Sequence, residues 1–284
     1  MEVTLNLIKE LREKTGAGMA DCKKALQETS GDMDKAIEYL RKKGAATSAK
    51  RADRAAKEGA VKIAISDDRK SAMMIELNCE TDFVSRGEGF QSFSDKLAKT
   101  GLLNKCKDVE SLLASKADTT LTVKEELDSL MGSIGEKIEL RRAKYFEVPD
   151  GFVSIYVHFG SKLGGMLAIE GKPTEESLDL GKKIAIQLVA MNPLALNRES
   201  VPAETMEKEK EIYMTVAKNE GKPDNIVERI VNNKLEKYYQ ENCLMEQEYI
   251  NESGSSINDI VKRYEKSSSE KFVIKEMVRF QCGL

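Results

Sequence analysis

The hydrophobic period of this chain changes near residue 60, and few folds accommodate both halves of that change. Up to residue 44, apolar residues recur at helical spacing: Leu7, Ile8 and Leu11, then Met19, Cys22, Ala25 and Leu26, then Met33, Ala36, Ile37 and Leu40. Gly16 and Gly18 separate the first two stretches, Gly31-Asp32 separates the second from the third, and Gly44 is expected to end the last. The spacing predicts a small three-helix domain over 1–44. Residues 45–59 carry Ala with Lys50, Arg51, Arg54 and Lys57 and no apolar stripe, and they read as a basic helical tether.

From residue 60 the period is two. Residues 60–65 and 72–79 form a predicted hairpin about a polar turn at 66–70. A helix with Phe90, Phe93 and Leu97 on one face follows, then helical sequence from 109 to 131, then a strand at 137–146. The order recurs with a strand at 153–157, a turn at 160–165, a strand at 166–169, a helix bearing Leu180, Ile184, Leu188 and Met191, and a closing strand at 271–281. Glu270-Lys271-Phe272-Val273-Ile274 echoes Glu136-Lys137-Ile138-Glu139-Leu140. The expected class is α+β: the three-helix domain, then two related lobes with small antiparallel sheets, at 60–149 and 150–284.

The second lobe is the longer, and its surplus falls in two charged helical runs, 203–219 and 224–240, joined by Gly221-Lys222-Pro223 with Asp224 as N-cap. Met206, Ile212, Tyr213 and Val216 make one apolar seam; Val227, Ile230, Val231, Leu235 and Tyr238 make the other. Facing seams predict an antiparallel coiled-coil insertion at about 203–240.

Composition removes most chemistry. Charged residues are 33% of the 284, against roughly 25% in an ordinary globular chain. They nearly cancel, 45 Lys and Arg against 48 Asp and Glu, and this argues against nucleic acid and for protein partners. Clusters such as Arg41-Lys42-Lys43 read as solvated helix ends. One histidine, His158, excludes multi-histidine metal sites. Five cysteines without a C-x-x-C spacing fit neither zinc nor a disulfide framework, so a reducing cytoplasmic setting is expected. The start of the chain has no signal-peptide pattern, and no run is long and apolar enough for a membrane. No phosphate-binding glycine loop, calcium loop or nucleophile elbow is present, and His158 has no adjacent Cys or Ser. No catalytic residue, metal or cofactor is expected.

One segment stands apart, Asn78-Cys79-Glu80-Thr81-Asp82-Phe83-Val84, where a strand gives way to a helix. Phe83 keeps the odd-numbered parity of Met73, Ile75, Leu77 and Cys79, which would make it core, while Thr81 or Asp82 would cap the helix. An acid beside a bulky aromatic at such a corner also makes a wedge. Residue chemistry leaves both readings open. Met19, directly behind the glycine turn, reads as half core and half adaptable contact.

The run from Leu11 to Leu26, LREKTGAGMADCKKAL, resembles the N-terminal signature of the translation elongation factor Ts family, as does its continuation through Gly31-Asp32 and Leu40-Arg41. Glu76-Leu77-Asn78-Cys79-Glu80-Thr81-Asp82-Phe83-Val84 resembles that family's second signature, and Gly221-Lys222-Pro223 and Cys243-Leu244-Met245-Glu246-Gln247 match later landmarks. The resemblance implies a ubiquitin-associated-like helical domain, two core lobes and a coiled-coil insertion. It also implies nucleotide exchange on the GTPase elongation factor Tu, without covalent chemistry. Carried over by position, Thr81, Asp82, Phe83 and Val84 would dislodge the GTPase magnesium ion. Arg12 and Met19 would grip its nucleotide domain, and His158 would hold a more distant domain. Glu248-Tyr249 stands where relatives often have Pro-Phe, and a C-terminal module that some members carry is expected to be absent. Two rivals remain: a ubiquitin-associated-type adaptor without exchange activity, and an RNA-binding factor using the basic tether.

Overall fold

The computed structural model describes residues 3–116, 121–221 and 223–284, with Asp224 and Asn225 described by backbone alone. It divides into two compact units, the first comprising Met1–Glu147, Val157–Gly164 and Phe280–Leu284, the second Val148–Tyr156 and Gly165–Arg279.

The first unit opens with α1 (Leu5–Thr15), α2 (Met19–Glu28) and α3 (Met33–Arg51). Thr4 caps α1, Asp32 caps α3, and Gly16 closes α1 in the left-handed conformation at φ 66° that its missing Cβ permits. Ile8, Leu11, Cys22, Ala25, Leu26 and Ala36 form the small core. Next come β1 (Glu58–Ile65), β2 (Ser71–Cys79), α4 (Asp82–Arg86), α5 (Glu88–Leu103), α6 (Val109–Ala114), α7 (Val123–Ile134) and β3 (Ile138–Glu147). The sheet order is β1-β2-β3, antiparallel, so β2 is central and buried along nearly its whole length. Met73, Ile75 and Leu77 pack with Phe90 and Leu97 of α5 and with Leu127 of α7.

Gly44 does not end α3. The helix runs on to Arg51, and Gly44 serves a different purpose, close approach to α7. A Cβ on Gly44 would stand 2.7 Å from the Asp128 carbonyl oxygen, and one on Gly132 would stand 3.1 Å from the Gly44 Cα. Two helices cross where neither carries a side chain, and the first part of the expected tether, 45–51, continues α3 with its residues exposed or half-buried. The basic cluster is also engaged: Arg41 pairs with Glu125 of α7, Lys42 with Glu38 and Lys43 with Asp21.

Glu76 on β2 is fully buried and charged, which is tolerable only with full pairing. Arg142 of β3 supplies the ion pair, and the Gly283 N–H donates to the second carboxylate oxygen at 3.0 Å. The same guanidinium lies 4.5 Å from the Phe280 ring centroid and donates to the Gln281 carbonyl at 2.7 Å, tying the segment 280–284 into this unit.

The second unit contains most of β4 (Gly151–Val157), β5 (Leu163–Gly171) and β6 (Phe272–Gln281), in the order β4-β5-β6, with α8 (Glu175–Met191), α9 (Ala203–Asn219), α10 (Asp224–Asn242) and α11 (Ile257–Ser268). Its core is Phe152, Leu167, Ile169, Ile184, Leu188, Ile257 and Phe272. The class is α+β, with two small antiparallel three-stranded sheets and N-terminal helices. The two sheets share one local feature. Gly59, second in β1, and Gly151, first in β4, lie so close to the neighbouring strand that a Cβ would fall 2.1 Å from the Leu77 carbonyl oxygen in one and 1.9 Å from the Ile169 carbonyl oxygen in the other.

The two charged runs form the helical hairpin α9–α10, but the seam differs from the expected one. Ala217, Val227 and Val231 are buried, with Tyr213, Ile230 and Leu235 beside them, while Ile212 and Val216 are exposed. Tyr213 and Ala217 keep one stripe at i and i+4, and Ile212 and Val216 fall a quarter-turn off it. The α10 helix begins at Asp224 itself; the capping expected of its side chain, and Lys222 of the linking turn, lie outside the described residues. At the root, Arg198 forks onto Glu236 at 2.8 and 2.7 Å and onto Glu246 at 2.5 and 2.6 Å, with its guanidinium 4.4 Å from the Tyr239 ring.

Two outcomes are expected from this packing. Gly44→Val forces α3 from α7 and lowers the urea midpoint by an amount equivalent to about 1–3 kcal/mol, whereas Gly89→Ala, where a Cβ meets nothing within 4 Å, leaves stability unchanged or slightly raised. Arg198→Ala frees the root of the hairpin, and amide exchange in the last turns of α10 rises roughly tenfold.

Candidate partner-binding site

The corner between β2 and α4 is built by opposing demands on neighbouring residues. Cys79 ends β2, paired with Glu58 of β1 and Ile138 of β3. Thr81 is the N-cap of α4, and its hydroxyl accepts the Val84 N–H at 3.4 Å. Val84 turns inward against the core of the first unit, Ser85 is buried, and Asp82 pairs with Arg86 one turn on at 3.2 Å. The outward positions of this short helix are the second and the last, and Arg86 holds the last. Phe83 occupies the second and is 85% exposed. Its strand parity predicted core, but the chain leaves strand geometry at Glu80, so parity no longer applies.

Two carboxylates tie the corner to the start of β3, Glu136 from just before the strand and Glu80 from the corner itself. Glu136 accepts the Thr81 N–H at 3.0 Å with one oxygen and the Thr81 hydroxyl at 2.8 Å with the other. Glu80 reciprocates by accepting the Lys137 N–H at 2.6 Å, with Arg54 at 3.2 Å on the same carboxylate. The Lys137 N–H, aided by Arg54, holds the Glu80 carboxyl below its ordinary range, so this anchor persists at neutral pH and is lost only as acid protonates it. Neither glutamate is identifiable from periodicity; Glu136-Lys137 was visible only as part of the repeat.

The remaining expected contacts stand on other elements. Arg12 is exposed near the end of α1, and Met19 is half-buried at the start of α2, packed in part on the three-helix core, so both flank the Gly16–Gly18 turn. His158 is exposed and opens the β4–β5 turn, its N–H donating to the Leu163 carbonyl at 2.9 Å. The next residue, Phe159, passed over in the sequence reading, is 98% exposed. An aromatic in a turn leaves no periodic signal.

Burial raises the thiols of Cys22 and Cys106, pushes Cys79 up to about 12, and pushes Cys243 and Cys282 up to about 11, the opposite of what a thiolate nucleophile needs. Among the described residues no group of three or more His, Cys, Asp or Glu is placed to hold a metal ion, and no helix is long and apolar enough to cross a membrane. A cavity of about 310 Å³ lies where α3 and α7 meet the Gly16 turn; Ala17, Leu40, Phe93 and Leu130 form its apolar walls, and no His or Cys lines it.

Comparison with known proteins agrees with the signatures. The Elongation factor TS family model matches residues 80–284. The elongation factor Ts of Chlorobaculum parvum is 46% identical over 285 residues, covering 99% of both chains. That of Chlorobium phaeobacteroides is 44% identical with the same coverage, and that of Clostridium botulinum is 43% identical over 99% of this chain and 93% of its own. The strand-to-helix corner bearing Phe83 lies inside the matched region, and the full-length identity extends through the three-helix domain: the chain belongs to the elongation factor Ts family of translation elongation factors.

Proposed function

We propose that this protein is a nucleotide exchange factor for elongation factor Tu, acting through binding alone. The observation that carries the reading is an exposed Phe83 on a corner whose neighbours are locked. Exposing a phenylalanine side chain forgoes about 1.5–3 kcal/mol that burial would provide. Here the fold forgoes it while spending two carboxylates on holding the corner rigid. A rigid, bare aromatic is suited to entering a recess in another protein, because little conformational entropy is lost on contact.

A GTPase retains GDP through its phosphate loop and a bound Mg²⁺. Phe83 is the apolar wedge in the proposed complex, entering beside that magnesium site. Asp82, adjacent to it, brings a carboxylate that competes within the polar network steadying the ion. Thr81 and Val84 fix the depth, one through Glu136 and the other through the core. Arg12 and Met19 grip the nucleotide domain with one cation and one adaptable thioether, and His158 adds a further contact. The factor binds the empty GTPase better than the loaded one, so factor and nucleotide weaken each other by one reciprocal coupling energy. No bond is made or broken by this chain, and it needs no cofactor to act.

Stopped-flow release of labelled GDP from elongation factor Tu is the test. Phe83→Ala is expected to slow release at saturating factor by roughly 10- to 100-fold, the factor equivalent to one buried aromatic; an unchanged rate would sink the wedge. Glu136→Ala leaves the wedge in place but unclamped. Its expected effect is smaller, roughly 3- to 10-fold, corresponding to the loss of charge-assisted hydrogen bonds. Glu136→Gln, which keeps one acceptor, should recover part of it, and equal losses in the two variants would contradict the clamp.

A further inference from the structure

We infer that Phe159 is a second apolar anchor for the same partner domain that Phe83 enters, so that the chain engages it with two fixed aromatic prongs. The inference rests on the exchange-factor reading above and adds to it a residue and a geometry.

The chain has eight phenylalanines, and all but two are buried or half-buried; Phe83 and Phe159 alone are exposed, at 85% and 98%. Scattered exposed apolar residues are ordinary and carry no message singly. These two are not scattered. Residues Val157–Gly164 belong to the first compact unit, and the β4–β5 turn is fastened to its edge strand β1. The Val61 N–H donates to the Ser161 carbonyl at 2.6 Å, and Lys162 pairs with Glu58 at 2.6 Å. Glu58 is also the register partner of Cys79, four residues before Phe83. Arg86, at the end of α4, is close enough to Lys162 to act on it electrostatically. Both bare rings therefore stand at the Glu58 end of β1. Each is a few residues from a fixed point on that strand, which places them within roughly 25 Å of each other by chain reach.

The second prong is also held rigidly. Within the turn the Ser161 N–H donates to the His158 carbonyl at 3.0 Å, and the Cys282 N–H donates to the Lys162 carbonyl at 2.8 Å. Gly160 and Ser161 both adopt left-handed backbone, at φ 83° and 55°. A non-glycine residue keeps that conformation only where its surroundings over-determine it. A turn fixed this firmly that presents a phenylalanine to solvent has the character of interface anchors, which are rigid aromatics entering a partner's pocket. The occupant that fits is the nucleotide-binding domain of the GTPase, through an apolar recess next to the one that takes Phe83, and on this reading the neighbouring His158 faces that domain too rather than the more distant one implied by the resemblance.

The test is surface plasmon resonance on immobilised, nucleotide-stripped elongation factor Tu, with wild type, Phe159→Ser, Phe159→Leu and Phe83→Ala. Phe159→Ser is expected to raise Kd on the order of tenfold or more, as loss of an anchor does, and Phe159→Leu to retain most of the affinity. The nearly complete exposure of Phe159 predicts an unchanged melting temperature for both variants. Wild-type affinity in Phe159→Ser alongside weakened Phe83→Ala overturns the second prong and leaves the exchange-factor reading intact. Wild-type affinity in both overturns the reading and this inference with it.

Discussion

The grip of Glu136 on Thr81 is the interaction on which the candidate site depends. One side chain just before β3 satisfies both the N–H and the hydroxyl of the residue that follows β2 and caps α4. Thr81 is thereby fixed in extended backbone at φ −123°, ψ 155°, and the five-residue α4 begins at one defined angle. Val84 then falls into the core and Phe83 into solvent, with no intermediate arrangement open to either. Glu80 and Lys137 repeat the exchange in the other direction, so strand and corner hold each other.

The rest of the first unit explains why so much structure supports one exposed ring. The buried Glu76–Arg142 pair holds the segment 280–284 on the sheet, and that segment in turn holds the turn at Lys162 through Cys282. The side-chain-free crossing of α3 on α7 fixes the three-helix domain, which carries Arg12 and Met19. In the proposed mechanism each contact is delivered from a rigid support. Binding energy then goes into displacing the ion rather than into ordering loops.

The secondary-structure plan was legible because burial imposes periods, and most of it lies where the apolar spacing put it. Two of the failures concern residues whose role depends on a partner helix, and the third follows from where a strand ends. Gly44 has the local signature of a helix terminator and is in fact a crossing point, which only Gly132 and Asp128 reveal. Ile212 and Val216 look like seam residues, yet small Ala217 sets the approach of α9 to α10, and the stripe rotates around it. Phe83 obeyed strand parity until the strand ended. Arg12 came from family resemblance alone, since an exposed residue has no period to betray it, whereas residue chemistry had left Met19 and the Thr81–Val84 run open between core and contact. Phe159 had neither period nor motif, and only its exposure on a pinned turn brings it forward.

Differential binding makes one quantitative demand that no simple adaptor meets. The Kd of this chain for elongation factor Tu, measured by titration calorimetry without nucleotide and again with saturating Mg²⁺ and GDP, should differ by a large factor. The same factor should appear when the affinity for GDP is measured with and without the chain. Two matching ratios well above one are the predicted result. Equal affinity for the empty and loaded GTPase would contradict the account, whatever the strength of binding.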